Sequence, residues 1–311
     1  MIICHVSSGG AYKIAQMYAT FLQLPLTIKP GITKLVKYLF KENNKKLIIF
    51  HSPNLAFKQA WIIRLFSPTT KIYCVEHFIL PQIIRYEFDA SFKRKLYILM
   101  LRINSLMGVK IICLDDYSIK ARQKLINNRK IKIIPNPIET KIEQNAPSFL
   151  DKPFDLIWAA GLSAQKKWPE ALAELSHIKK ENPSLRIAIA SYDQPSPIEL
   201  AVMDEMGFSF FKNKSDWHKL ASCFFFSSNY EGFPLALVEA ITHNMYIIAW
   251  CHRSCVKQIL RHYPHHIWIP ASQPFNRKIN LKYNKPSLEQ LPDSFLHWHS
   301  KKNIKNLLKM L

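Results

Sequence analysis

The chain has 311 residues, of which 48% are hydrophobic, and its 43 Lys and Arg against 22 Asp and Glu give a formal net charge of +21. This composition excludes a largely disordered chain, and the length favours two domains of about 150 residues each. No apolar run reaches the ~18 residues of a membrane span, and the start, MIICHV, carries no basic leader, which together predict a cytoplasmic protein.

Short β-branched runs alternate with helical patterns along the chain. Five strands are predicted in the first half, at 2–6, 47–50, 72–75, 110–114 and 131–134. Five more are predicted after a polar, proline-containing segment, at 154–160, 186–190, 223–228, 246–250 and 266–269. Continuous apolar strands separated by helices are typical of parallel sheets covered on both faces. The pattern therefore predicts two doubly wound α/β domains.

The domain boundaries follow from this alternation. We expect an N-terminal domain at 1–140, a linker at 141–152, a C-terminal domain at 153–298 and an amphipathic helix at 299–311. The six cysteines mostly lie inside apolar strand-like runs and are expected to be reduced core residues. A zinc site built from Cys251, His252 and Cys255 with His262, His265 or His266 was weighed, but the CHRSC pattern does not supply four well-placed ligands. No metal or cofactor is predicted.

The positive charge is concentrated in the first half of the chain. Residues 1–150 hold 23 Lys and Arg against 8 Asp and Glu, a net charge of +15, whereas residues 151–311 hold 20 against 14, a net charge of +6. Such a surface attracts nucleic acid, anionic lipid headgroups or a phosphorylated substrate, although solubility alone is another explanation. A basic nucleic-acid-binding protein is the disfavoured alternative because no DNA- or RNA-binding motif occurs.

One helical pattern in the basic half combines charge with apolar residues. The stretch FDASFKRKLYILMLR, at 88–102, interleaves Phe, Tyr, Leu and Met with Lys and Arg. It predicts a helix that lies in an anionic membrane interface, which would make the protein peripheral on the inner face of the cytoplasmic membrane. The alternative is a core helix with a solvated basic face.

Four of the seven glycines mark turns from a strand to a helix. Gly9 and Gly10 follow the first strand, Gly161 follows the first strand of the second half, and Gly232 precedes the Pro234 helix. Doubly wound sheets bind ligands beyond the carboxyl ends of their strands, where a glycine lets the backbone approach a phosphate. No GxGxxG or GxxxxGK[ST] occurs, so the sequence predicts neither an ordinary dinucleotide-binding site nor a P-loop.

The stretch SSNYEGFPLALVEA, at 227–240, contains two glutamates in an otherwise apolar setting. If Pro234 opens a helix, Glu231 lies just before it and Glu239 lies in its second turn, roughly 12 Å apart. This spacing suits a ligand with two ends, and the alternative is a solvated helix face.

These residues resemble the retaining GT-B glycosyltransferases of family GT4, whose EX7E motif matches EGFPLALVE at 231–239. Further landmarks occur in the same order as in that family: SSGGAYKIA at 7–15, VEHF at 75–78, IIPNPIE at 133–139 and LSAQKKW at 162–168. The resemblance covers residues 1 to about 262. It implies two Rossmann-like domains that face across a cleft, the first for the acceptor and the second for the nucleotide-sugar donor, with no obligatory metal.

The resemblance also implies roles for individual residues. Glu239 would bind the ribose hydroxyls, and Glu231 would contact the transferred sugar near the reacting carbon. Lys166 would neutralise the diphosphate leaving group, and His77 would meet the donor sugar. The backbone would bind the donor at five positions: Gly9, Gly10, Gly232, Phe233 and Leu235.

Two positions depart from the family pattern. Gly161 stands where the family carries an arginine, so that a second phosphate-binding cation is missing unless Lys167 replaces it, and Gln258 stands where a glutamate is common. The expected function is transfer of a sugar from a nucleotide sugar to a glycan or lipid-linked acceptor in bacterial surface polysaccharide or lipopolysaccharide synthesis. The expected donor is a UDP-sugar. A catalytically weak homologue that binds or scaffolds is the alternative.

Overall fold

The computed structural model describes residues 1–7, 9–41, 46–78, 80–86, 88, 90–114, 116–126, 131–137, 152–213, 216–250, 255–260, 263, 266–269, 297 and 300–311. The chain forms two compact units. The first comprises Met1–Pro137 and His297–Leu311, and the second comprises Ile138–Leu296. Of the predicted linker at 141–152, only Lys152 belongs to the described residues.

The first unit is built on a six-stranded parallel sheet. Its strands are β1 (Ile2–Cys4), β2 (Leu26–Ile28), β3 (Leu47–Phe50), β4 (Lys71–Val75), β5 (Lys110–Cys113) and β6 (Ile131–Ile133), in the order β2-β1-β3-β4-β5-β6. Its helices are α1 (Gly9–Leu22), α2 (Ile32–Lys41), α3 (Pro53–Phe66), α4 (Leu80–Tyr86), α5 (Ser91–Leu106) and α6 (Asp116–Gln123). The strands β1 and β3–β5 are buried at successive positions, which requires that both faces of the sheet are covered.

The second unit repeats this architecture. Its strands are β7 (Phe154–Ala159), β8 (Ile187–Ser191), β9 (Ser209–Lys212), β10 (Ala221–Phe226), β11 (Tyr246–Trp250) and β12 (His266–Ile269), in the order β12-β11-β10-β7-β8-β9. Its helices are α7 (Trp168–Glu181), α8 (Pro197–Glu205), α9 (Leu235–Thr242) and α10 (Cys255–Leu260). Every strand pairing is parallel in both sheets. The prediction of two doubly wound α/β domains is confirmed.

Residues close to the end of the chain pack against the first unit. The helix α11 (Lys301–Lys309) begins at Ser300, whose hydroxyl accepts a hydrogen bond from Asn303 N, and its apolar face lies against α1. The Lys71 ammonium donates to the Leu311 backbone oxygen at 2.6 Å. Ile304 and Leu308 are fully buried by this packing. The amphipathic pattern of the sequence therefore produces a helix that completes the first unit.

Sequence patterns located ten of the twelve strands found among the described residues. The two strands that were missed, β2 and β9, pair on one side only at the edge of a sheet. Both are only partly buried, with Thr27 the one buried residue of β2 and no buried residue in β9, so neither needs a continuous apolar run. The four described cysteine side chains, those of Cys4, Cys74, Cys113 and Cys223, are buried and free, as expected of reduced core residues.

Candidate active site

The order of the second sheet defines one switch point. From β7 the chain builds outward through β8 to β9, and it then returns to the other side of β7 to build β10, β11 and β12. The strands β7 and β10 are direct neighbours, with Ile157 paired to Phe224. Ligands of doubly wound sheets bind at such a point, beyond the carboxyl ends of the two strands. The loops that follow β7 and β10 are therefore the candidate ligand-binding loops.

Lys166 and Glu231 meet at this switch point. Lys166 ends a short 3₁₀ turn, Ala164–Lys166, in the loop after β7, and Glu231 lies in the loop after β10. The Lys166 ammonium forms a salt bridge with Glu231 Oε1, and the Ser228 hydroxyl donates to the same oxygen at 2.7 Å. Glu231 is only 6% exposed. A buried carboxylate requires such partners, because an unpaired charge is costly to remove from water.

Further hydrogen bonds fix the two loops to each other. The Ser227 hydroxyl donates to the Lys166 backbone oxygen at 2.6 Å and accepts from Trp158 Nε1 at 2.8 Å. The Gln165 amide donates to the Tyr230 backbone oxygen at 3.1 Å. These bonds hold the salt bridge in place before any ligand arrives. Ser227 and Ser228 were not predicted as site residues, although their position directly after β10 was a signal.

Lys167 adopts a left-handed backbone conformation, with φ of 51°, at the start of α7. Its ammonium lies 5.2 Å from the ring centroid of Trp250, the last residue of β11. This distance is typical of a cation–π contact. The side chain of Lys167 thus contacts the end of β11, which is one strand beyond β10 in the sheet.

Gly161 lies in a position where added side-chain volume meets a carboxylate. A Cβ atom there would lie 3.1 Å from Asp193 Oδ2, and the same oxygen accepts a hydrogen bond from Leu162 N at 2.8 Å. Where the resembled family carries an arginine, this loop therefore has the carboxylate of an exposed aspartate as its nearest charge. Asp193 was not considered in the sequence analysis.

The helix α9 carries the second glutamate. It begins at Leu235 with Pro234 as its N-cap, one residue later than predicted, because ψ of Pro234 is 85° and lies outside the helical region. Glu231 precedes the helix, and Glu239 lies in its second turn and is half-buried, as the spacing predicted. His243 Nδ1 lies 2.8 Å from the backbone oxygen of Glu239 and so supports the end of the helix. Phe233 is buried beside the helix start.

The remaining predicted residues belong to the first unit. Gly9 and Gly10 open α1, and His77 follows β4. The switch point of this sheet lies between β1 and β3, which His5 and His51 follow directly. His51 Nδ1 and His77 Nε2 lie 2.8 Å apart. The sequence analysis missed His5 and His51, for which the signal was a histidine directly after a strand.

No group of three or more His, Cys, Asp or Glu within the described ranges could hold a metal ion. The residues Cys251, His252, His262 and His265 of the zinc hypothesis lie outside these ranges. Among the helices that the structure describes, none is long and apolar enough to cross a membrane.

Known proteins resemble the chain in sequence over its second half and in fold. Residues 140–291 match the family model described as glycosyl transferases group 1. The chain is similar to the lipopolysaccharide outer core galactosyltransferase WaaB, with a TM-score of 0.64 and 15% identity over 100% of this chain and 99% of WaaB. It is also similar to WaaG, a glycosyltransferase involved in lipopolysaccharide biosynthesis, with a TM-score of 0.62 and 14% identity over 100% of this chain and 95% of WaaG.

A third similar structure is the pneumococcal O-GlcNAc transferase GtfA in complex with UDP and GlcNAc, with a TM-score of 0.60 and 16% identity over 89% of this chain. The chain spans 58% of GtfA and 54% of another similar structure, TarM. No curated protein sequence matches the chain. The structural likenesses establish the GT-B fold, and together with the family match in the second unit they support a glycosyltransferase.

Proposed function

We propose that this glycosyltransferase is a retaining enzyme of family GT4 that moves a sugar from a UDP-sugar to a glycan or lipid-linked acceptor during bacterial surface polysaccharide or lipopolysaccharide synthesis. The observation that carries the proposal is the Lys166–Glu231 salt bridge at the switch point of the second sheet. It supplies a cation for a diphosphate beside a carboxylate for sugar hydroxyls. The lipopolysaccharide enzymes WaaB and WaaG support the setting, and the UDP complex of GtfA supports the donor class.

Donor binding would exchange the partners of this salt bridge. The diphosphate takes the Lys166 ammonium, and Glu231 keeps the hydrogen bond from Ser228 while it accepts hydrogen bonds from the hydroxyls of the donor sugar. Neither charge is then left alone in a buried site, so the exchange avoids most of the desolvation cost. The loop hydrogen bonds from Ser227 and Gln165 keep both groups in place during the exchange.

The same arrangement serves the chemical step. As the bond between the sugar and the diphosphate breaks, negative charge builds on the leaving phosphate, and a fixed ammonium stabilises that charge more in the transition state than in the ground state. Glu239 holds the ribose. Backbone groups at Gly232, Phe233 and Leu235 lie at the start of α9, where the helix dipole favours an anion. In the first unit, His77, Gly9 and Gly10 are assigned to the sugar.

A catalytically weak homologue is the second candidate, and one observation favours it. At Gly161 the side chain nearest to the site of an added Cβ is the Asp193 carboxylate rather than a cation. A carboxylate near the donor phosphates would weaken their binding. Such a protein would bind a nucleotide sugar and transfer it slowly, which turnover measurements distinguish from the first candidate.

Ligand-dependent melting and product release test the proposed function. A nucleotide sugar at about 100 times its dissociation constant stabilises a protein by roughly 2.7 kcal/mol. We expect one UDP-sugar to raise the melting temperature and to release UDP when an acceptor extract is added. Lys166→Met should lose both effects, whereas Lys180→Met, an exposed change on α7, should keep them. A shift without turnover would favour the weak homologue, and no shift with any nucleotide sugar would overturn both candidates.

An exposed apolar surface of the first unit supports a place at a membrane. Phe92, Leu96, Leu99, Ile103 and Leu106 recur along α5 at intervals of four and three residues, which places them on one face of the helix. Phe92 is 74% exposed and Leu106 is 85% exposed. Three of these residues, Leu96, Leu99 and Ile103, line a groove of about 310 Å³ together with Phe57 of α3. A single apolar stripe of this length on the outside of a helix indicates an interaction surface.

The charges around this stripe point to an anionic bilayer. The helices α3 and α5 carry no acidic residue, and their basic residues are Lys58, Arg64, Lys93, Arg94, Lys95 and Arg102. Each basic residue near an anionic membrane surface contributes about 1 kcal/mol of attraction. We therefore place the protein on the inner face of the cytoplasmic membrane, where lipid-linked acceptors are found.

Vesicle sedimentation tests this placement. At low salt the protein should sediment with vesicles that contain an anionic phospholipid and remain in solution with neutral phosphatidylcholine vesicles. The pair Leu96→Asp and Leu99→Asp should abolish sedimentation. Ile198→Asp, at an exposed apolar residue on α8 of the second unit, is the control and should sediment like the parent. Equal sedimentation with both vesicle types, or with neither, would overturn the electrostatic placement.

A further inference from the structure

Three histidines follow three adjacent strands of the first sheet. His5 follows β1, His51 follows β3, and His77 comes two residues after β4, and these strands are neighbours in the order β1-β3-β4. Since all three strands are parallel, the histidines lie at the same edge of the sheet, next to the switch point between β1 and β3. The cluster is thus part of the ligand-binding edge of the first unit.

His51 and His77 form the tightest pair of this cluster. Their rings are stacked, with centroids 5.0 Å apart and an interplanar angle of 24°, and His51 Nδ1 lies 2.8 Å from His77 Nε2. His51 is 1% exposed, and its ring packs in a T-shaped arrangement with the ring of Tyr18 of α1, with centroids 5.2 Å apart. His77 is half-buried. A ring that is enclosed on so many sides has one orientation, so His51 is a rigid support for His77.

Both imidazoles are neutral at ordinary pH. Burial, with added repulsion from His77 and His5, lowers the pKa of His51 well below its usual value. Burial and His5 lower the pKa of His77 to about 4. A neutral imidazole carries one N–H and one bare nitrogen, so the hydrogen bond between the rings is donated by one histidine only.

The surroundings of His51 decide which ring donates. If His77 donated from Nε2, the proton of His51 would sit on Nε2, which is buried and has no hydrogen-bond partner among the described residues. A buried N–H without an acceptor is rarer in proteins than a buried acceptor without a donor, and it costs about 1–3 kcal/mol. If His51 donates from Nδ1, its Nε2 carries no proton and this cost is avoided. His77 then carries its own proton on Nδ1.

We propose that His51 is a positioning residue that holds His77 in the Nδ1–H tautomer, so that His77 presents a hydrogen-bond donor to an oxygen atom of the bound sugar. This rests on the assignment of His77 to the sugar under the proposed function. The tautomer has a mechanistic consequence, because the lone pair of His77 Nε2 is occupied by His51. His77 donates a hydrogen bond to the substrate, and it does not remove a proton from the acceptor hydroxyl.

The tautomers are measured directly by long-range proton–nitrogen correlation spectroscopy on the full chain with ¹⁵N-labelled histidine at pH 7.5. The signals are assigned by their loss in His51→Asn and His77→Asn. We expect His51 and His77 each to be protonated at Nδ1. Protonation of His77 at Nε2 would overturn the proposal. This result does not depend on transfer activity, so it stands apart from the test of the proposed function.

Two substitutions of His51 connect the tautomer to catalysis. In His51→Asn the amide N–H₂ replaces the Nδ1–H donor, so His77 should keep its Nδ1 proton and transfer should stay close to the parental rate. In His51→Phe the ring shape is kept and the donor is lost, so His77 should sample both tautomers and kcat/KM should fall about 2- to 13-fold, the value of one hydrogen bond. Equal tautomer populations and rates in the two variants would contradict the role of His51. If His51→Phe does not fold, the parental tautomers and His51→Asn still decide the outcome.

Discussion

Each of the two sheets of this protein has a switch point, and the two switch points differ in strand order and in charge. In the second unit the loops bring a cation and a carboxylate together as Lys166 and Glu231. In the first unit the equivalent edge carries His51 and His77, and burial keeps the pKa of both rings low. A charged edge suits a diphosphate, whereas a neutral edge of hydrogen-bonding groups suits hydroxyls. The fold determines where a ligand binds, and the residues that follow the strands determine which chemical groups of a ligand are bound.

The largest expected effect comes from removing the cation. Lys166→Met should lower kcat about 10²- to 10³-fold, the usual loss when a group that stabilises transition-state charge is removed. It should also lower the free energy of unfolding by about 3 kcal/mol, because Glu231 is left buried without its counter-charge. Chemical denaturation and UDP release measure the two losses.

A second variant separates stability from catalysis at the same position. Lys166→Met with Glu231→Gln removes both charges, so most of the stability should return while transfer stays lost. Lys180→Met is the control for a lost lysine on an exposed helix face. A Lys166→Met enzyme that turns over at the parental rate would contradict the assignment of the leaving-group cation.

Changing only the carboxylate should give a smaller effect. Glu231→Gln keeps an oxygen for the Ser228 hydroxyl but loses the charge-assisted hydrogen bonds to the sugar, so kcat should fall roughly 10- to 150-fold. Steady-state kinetics with the cognate nucleotide sugar provide the measurement. Glu205→Gln, at an exposed residue at the end of α8, should leave kcat unchanged. If kcat falls by a similar factor in Glu231→Gln and Glu205→Gln, the loss is not specific to Glu231 and its assignment to the sugar is wrong.

Most of the candidate site residues of the second unit could be predicted from the sequence, whereas few of those of the first unit could. Glu231 and Glu239 stand out in an otherwise apolar stretch, and the roles of both glutamates and of Lys166 are implied by the family resemblance. The strands before these residues are apolar runs, so the fold was also predictable. The direct pairing of Lys166 with Glu231 could not be predicted, because it depends on which strands are neighbours. No local sequence pattern specifies the strand order. His51 was missed for the same reason, since its partner His77 is 26 residues away.

Placing a cation at position 161 should raise the affinity for the donor modestly. Gly161→Arg places a guanidinium beside the donor loop and next to Asp193, and we expect donor affinity to rise about 5-fold, or ~1 kcal/mol, the value of a partly exposed charge interaction. Gly161→Ala is the control, because its Cβ meets Asp193 Oδ2 without adding charge. A gain of the same size in both variants would mean that the arginine position is unrelated to phosphate binding.

The pH dependence of stability should expose the neutral histidines. The pKa of His77 falls from 6.5 to about 4 in the folded chain, so between these pH values the unfolded chain binds a proton that the folded chain does not. Stability from this group is therefore complete above pH 6.5 and decreases as the pH falls towards 4, by at most about 1.4 kcal/mol per pH unit. His77→Asn should make denaturation curves between pH 7 and 5 less sensitive to pH. If the free energy of unfolding depends on pH equally in His77→Asn and in the parent, the pKa of His77 is not lowered in the folded chain.

Calorimetry with UDP alone tests most directly whether the charged edge of the second sheet binds the nucleotide. Glu239→Gln should bind UDP roughly 10- to 150-fold more weakly than the parent, because it loses a charged hydrogen bond to the ribose. Glu231→Gln and His77→Asn should keep the parental affinity, since their proposed partner is the sugar that UDP lacks. If Glu239→Gln binds UDP as tightly as the parent, or if the parent does not bind UDP, the nucleotide site is not where the switch point of the second sheet places it.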